Sequence, residues 1–81
     1  MKEADLQAVV ATIFQRLPEL VGFCVREAKD ELCLAGVETF PADLEPDELM
    51  GEIALPLLDL LEEDPQAREL MRGRTFARTV H

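Results

Sequence analysis

A thiol becomes a nucleophile when a base takes its proton, and that base is usually a histidine. This sequence offers two thiols, Cys24 and Cys33, and one imidazole, His81, its last residue. Both cysteines lie in apolar, β-prone runs, VGFCV and LCLAGV, where a thiol behaves as a small, inert hydrophobe. Their C-x8-C spacing fits neither the C-x-x-C of a redox pair nor the paired C-x-x-C of a zinc ribbon. The chain has no serine, which removes the serine nucleophile and its triad. The four glycines, Gly22, Gly36, Gly51 and Gly73, are too scattered for a phosphate-binding loop.

Carboxylates are the other chemistry on offer. Between Lys29 and Arg68 the chain has twelve acids and no base. On a helix Glu48 and Glu52 would share a face, as would Asp59 and Glu63. Such neighbours could form an acid/base pair or hold a hard cation. No EF-hand spacing occurs, and no histidine in this interval supports a transition metal. The expectation is therefore a solvated helix face, with no catalytic, cofactor-binding or metal-ligating residue. Four of the eight bases, Arg68, Arg72, Arg74 and Arg78, crowd into the last 14 residues. They could neutralise the acidic middle segment, pair with a neighbouring subunit, or grip an acidic partner.

The whole chain sets the frame for those groups. Its 81 residues allow one domain, and 48 % hydrophobic with 31 % charged residues is a globular composition. A net charge of −9 argues against nucleic acid and against an anionic membrane surface. No stretch is long and apolar enough to span a membrane. The opening MKEADLQAVV lacks the apolar run of a secretory signal, and without Asn there is no N-glycosylation site. These features predict a cytoplasmic protein with reduced thiols. Six arginines against two lysines suggest a GC-rich bacterial source.

The elements that must position these residues follow from periodicity. Leu6, Val9, Val10, Ile13, Phe14 and Leu17 make one stripe of an amphipathic helix that Pro18 ends. The runs VGFCV and LCLAGVETF predict a β-hairpin. With no Asn-Gly or Asp-Gly between them, a four-residue loop of Ala28, Lys29, Asp30 and Glu31 is expected. That register pairs Val25 with Leu34 and Phe23 with Gly36. Val21, Phe23, Val25, Leu32 and Leu34 then share one face, and Gly22, Cys24, Cys33, Ala35, Val37 and Arg26 the other. The cysteines fall diagonal to each other, too far apart to bond. A helix is expected from Pro46 to Glu63, with a buried stripe of Leu49, Met50, Ile53, Ala54, Leu57, Leu60 and Leu61, kinked but not broken at Pro56. Asp64 and Pro65 predict the N-cap and first residue of a short helix ending near Gly73. Residues 74–81 are open to three readings: a third strand, a helical extension or a frayed end.

The sum is a single α+β domain over residues 1–81, in the order α-β-β-α-α, with a hairpin packed on amphipathic helices. The order α-β-β-α resembles the first half of roadblock/LC7-type dimerisation domains, and size and charge resemble those of small acidic α/β export chaperones. Two apolar faces and two open edges on a two-stranded sheet predict a homodimer in which the hairpins of two chains pair into one four-stranded sheet, a chain of this length having only a thin core. The leading functional expectation is a non-enzymatic adaptor or assembly-accessory protein that binds another protein. Its candidate interaction residues are Val21, Phe23, Val25, Leu32, Leu34 and the four C-terminal arginines. An enzyme with a carboxylate or cysteine site, and a metal-responsive protein, are the alternatives.

Overall fold

Proline sets the limits of the helical segments. In the computed structural model, which describes residues 3–40 and 45–78, the first apolar stripe winds into α1 (Glu3–Arg16), burying Leu6, Val10, Ile13 and Phe14. The N–H of Leu17 still donates to the Ile13 carbonyl at 3.0 Å, and Pro18 then halts the helix. Pro46 opens α2 (Pro46–Glu63), where its missing N–H costs nothing because a first-turn N–H has no helical acceptor. Ile53, Leu57 and Leu60 form the buried side of α2. Pro56 lies inside this single helix, as its unbroken apolar phase implies.

Replacing Pro56 restores an N–H able to reach the Glu52 carbonyl and removes the ring that crowds it. We expect Pro56→Ala to keep the fold and stabilise it by about 1 kcal/mol, less than the ~3 kcal/mol of an unrelieved interior proline. The melting midpoint should then rise by roughly 4–8 °C. A sharp fall would instead mean that Pro56 is a required breaker.

The hairpin consists of β1 (Leu20–Ala28) and β2 (Glu31–Thr39), antiparallel, with Val25 opposite Leu34 as the sequence predicts. Two features differ. The connection is a two-residue turn, not the expected four-residue loop: Ala28 pairs with Glu31, and Lys29 and Asp30 both have positive φ, 53° and 66°. That is the dihedral signature of a primed turn, which normally uses glycine. Asp tolerates this region better than most residues, and a tertiary contact described below holds the Asp30 carbonyl.

The second difference is the register beyond Cys24. The expected Phe23–Gly36 pair is absent: Cys24 faces Ala35, but Gly22 faces Glu38, and Leu20 faces Thr39. Two bulges of opposite sense account for this. In β2, Gly36 at φ +56° inserts a residue before Val37, which turns Val37 from the outer face onto the core. In β1 the second bulge lies at Val21. It turns Leu20 inward at 0 % exposure and leaves Val21 half-buried, so the strict alternation Val21, Phe23, Val25 does not hold.

α3 (Ala67–Met71) is shorter than the helix expected from Asp64 to Gly73. Asp64 ends α2, its N–H donating to the Leu60 carbonyl, while its Oδ1 accepts the Gln66 N–H at 3.0 Å. The Asp-Pro pair therefore makes a turn between helices rather than a helix start. Of the three readings open for the tail, the chain takes the strand: β3 (Thr75–Ala77) pairs antiparallel with β1, so the sheet runs β2-β1-β3. Residues 79–81 of the predicted tail lie outside the described residues.

All three helices cover one face of this sheet, and the Cα envelope of 34 × 29 × 18 Å is two layers deep along its short axis. Phe23 is central, its ring 5.9 Å from Phe14 and 5.3 Å from Phe76 by centroid. Gly22 permits the close approach of β3: a Cβ there would sit 2.9 Å from the Phe76 carbonyl oxygen.

Candidate interaction surface

Among the described residues the sheet has one long free edge. Val25 gives its N–H to the Arg74 carbonyl (2.9 Å), and its own carbonyl accepts from the Gly73 N–H (2.8 Å). In an antiparallel strand the N–H and C=O of one residue point to the same side. Val25 therefore spends both on the β3 side, and Leu34, opposite it on β2, turns its own backbone groups away from β1. By the two-residue period Leu32 does the same. The backbone of β2 is thus open along the edge opposite β3.

Those two leucines also point their side chains toward the helix layer. With Val25, Cys33, Met50, Ala54, Leu57, Leu58, Leu61 and Met71 they line a groove of about 250 Å³ between β2 and α2. Two of these lining residues are exposed, Leu58 at 54 % and Met50 at 37 %, as are Leu55 at 61 %, one turn before Leu58 on α2, and Phe40 at 52 %, which follows β2. Both walls come from the segment between Lys29 and Arg68, which has no base. Among the described residues Glu52 is the one α2 carboxylate in an ion pair, with Arg16 at 2.9 Å.

The residues singled out from sequence divide. Phe23 and Val25 are core, 1 % and 2 % exposed. Val21 is half-buried, and Leu32 and Leu34 line the groove. Met50, assigned to the buried stripe, stands half out of it, and Leu55 and Leu58 lay outside that stripe altogether. Their signal was visible: α2 carries more large apolar residues than one stripe can hide.

Each of the four arginines has a partner within the chain, though not on the acidic middle segment as a whole. Arg68 reaches Glu27 (2.9 Å) and also donates to the carbonyl of Asp30, which steadies the positive-φ turn. Arg72 holds the other Glu27 oxygen at 2.8 Å and Glu69 at 3.0 Å. Two arginines one turn apart thus tie α3 to the hairpin arm through one carboxylate. Arg74 pairs with Glu3 at 2.6 Å and lies over the Phe76 ring. Arg78 is bound to the backbone: its guanidinium donates to the carbonyls of Phe14, Leu17 and Leu20 at 2.6, 2.8 and 2.9 Å.

By strand alternation the cysteines fall on the outer face of the sheet, opposite to Val25 and Leu34, while Cys33 at the β2 edge also borders the groove. Cys24 opposes Ala35, and Cys33 opposes Arg26. They are diagonal and unbonded, as predicted from the register. The Thr75 side chain, opposite Cys24 on β3, does most to lower the Cys24 thiol pKa below its ordinary 9.0; desolvation, next in size, opposes it, and Arg26 lowers it further. Iodoacetamide should therefore modify Cys24 with a pH midpoint below that of a thiol in a short unstructured peptide. Thr75→Val should move that midpoint upward; a midpoint unmoved by the substitution would rule out the Thr75 contact as its cause. Among the described residues no group of three or more His, Cys, Asp or Glu is placed to hold a metal ion. No helix of the described residues is long and apolar enough to cross a membrane.

Comparison with protein-family models, with curated proteins and with solved structures finds no match for this chain.

Proposed function

We propose that this chain is a small, acidic, cytoplasmic interaction module, an adaptor or assembly-accessory protein that works by binding another protein rather than by catalysis. The observation that carries this reading is the apolar groove between β2 and α2, flanked by Met50, Leu55 and Leu58 and open to solvent. Apolar side chains clustered at one rim, beside an unpaired strand edge, are characteristic of docking surfaces. The test is photo-crosslinking in the native host with benzoylphenylalanine at position 58. A discrete adduct from position 58, absent from position 16 at the C-terminal end of α1, supports the reading. No adduct from position 58, or the same adducts from both positions, overturns it.

A homodimer belongs to the same proposal through a different surface. The helices cover one sheet face and leave the other bare, and that face carries small residues, Gly22, Cys24, Ala35 and Ala77, rather than the polar ones that suit water. Packing two such faces about a two-fold axis would cover both and leave the β2 edge free. Light scattering at micromolar concentration should give twice the 9.1 kDa chain mass. A mass of one chain, unchanged on tenfold concentration, would exclude the dimer and leave the groove reading intact.

A further inference from the structure

We propose that the β2 edge accepts a fourth strand from a partner protein, in the form of an extended, lysine- or arginine-rich segment with alternating apolar residues. The proposal rests on the interaction-module reading and specifies the partner's conformation and charge. Three observations converge on it.

The first is the backbone. Leu32 and Leu34 turn their N–H and C=O groups away from β1, since Val25 opposite Leu34 spends its own on Arg74 and Gly73. Residues 32–35 contain no proline, lysine or bulge, the devices that usually block an edge. The opposite edge is already taken by β3.

The second is that these same leucines face the groove. A strand paired with them would place every second side chain on the helix side, over Met50 and Leu58. The exposed apolar residues of α2 are therefore where a three-stranded sheet is one strand too narrow to cover them.

The third is charge. Twelve acids and no bases lie between Lys29 and Arg68, and this segment supplies both β2 and α2. The rest of the chain carries eight bases and five acids, so the excess negative charge belongs to the segment that builds this edge and α2. A cationic strand is drawn to it. A second copy is not: two β2 strands, each Glu31–Thr39, paired along this edge would bring two acidic, base-free segments together.

The test is amide hydrogen exchange read by NMR. The probe is a synthetic peptide of alternating lysine and valine, about seven residues long, the length that spans a typical edge strand. At about 1 mM peptide the Leu32 and Leu34 amides, exposed in the free protein, should slow by roughly tenfold or more, consistent with a sub-millimolar Kd. Raising salt should weaken binding several-fold. Leu58→Asp, at a side chain 54 % exposed and outside the core, should also weaken it by about tenfold. Unchanged exchange at both amides overturns the proposal, as does equal protection by the same peptide with glutamate for lysine. Protection already present without peptide, and deepening with protein concentration, gives the edge to a second copy and overturns it too. In each of those cases a crosslink from position 58 would still stand, so the interaction-module reading and the strand-addition proposal fail separately.

Discussion

Phe23→Ala is expected to destabilise the protein by about 4 kcal/mol, near the middle of the range for truncating a buried aromatic residue. Phe23 is 1 % exposed and touches Phe14 of α1 on one side and Phe76 of β3 on the other. Its ring is thus the joint between a helix and two strands. The loss removes transfer free energy and leaves a cavity that three backbones must collapse to fill. For 81 residues the total stability should be on the order of 4–12 kcal/mol. The melting midpoint should fall by roughly 16–32 °C, enough to unfold a large fraction at working temperature. Leu58→Ala makes the contrast, since that side chain is 54 % exposed and should cost no more than about 0.5 kcal/mol. Urea unfolding of both variants checks the pair. A Phe23→Ala midpoint close to the parent's would mean that the three-ring contact does not anchor the core.

That contrast shows where the sequence was legible. Helix α2 was readable to its end residues, because Pro46 marks a first turn and the apolar phase survives Pro56. The α+β class and the Val25–Leu34 register followed from the switch of period between residues 17 and 21. Period alone could not reveal two opposed bulges. Each adds one residue to one strand, and their net effect on register cancels by Leu20, so the pattern stays nearly regular while Val21, Leu20 and Val37 change sides. The primed turn was hidden for another reason. Lys29 and Asp30 have weak preference for positive φ, and the Arg68 contact that favours it arrives from 38 residues away. The three-residue β3 has too little sequence to announce itself; Phe76 is fixed by its contact with Phe23 and by the space that Gly22 leaves.

The same distinction governs the groove. Leu32 and Leu34 were found by alternation, because they lie on the regular part of β2 between turn and bulge. Leu55 and Leu58 were not, because a stripe search keeps the residues that fit one face of α2 and sets aside those that do not. Apolar residues left outside the stripe are the ones a partner can reach. An excess beyond one helical face, in a segment with no base, was the readable trace of this surface.

Arg78→Ala is expected to cost about 3 kcal/mol, because one side chain serves three acceptors of charge-assisted hydrogen bonds, each contributing on the order of 1.5–3 kcal/mol before losses to water. Two of the acceptors, the carbonyls of Phe14 and Leu17, lie at the C-terminal end of α1, where helical carbonyls lack intrahelical partners and carry the negative end of the dipole. The third, Leu20, is the first residue of β1. Arg78 thus joins the helix end, the strand start and β3, and its guanidinium also rests 5.1 Å above the centroid of the Phe14 ring. Water can replace such donors only in part, since the site is half-buried. Arg78→Lys should recover less than half of the loss: an ammonium keeps the charge but lacks the planar fork that spans separate carbonyls. The melting midpoint of Arg78→Ala should fall by roughly 12–24 °C. Arg16→Ala is the control, because the Arg16–Glu52 pair is exposed at 59 % and 45 % and should be worth no more than about 0.5 kcal/mol. A loss at Arg78 no larger than at Arg16 would mean that water caps α1 as well as the guanidinium does. It would also free Arg78 for the partner-binding role that its place in the basic C-terminal cluster first suggested.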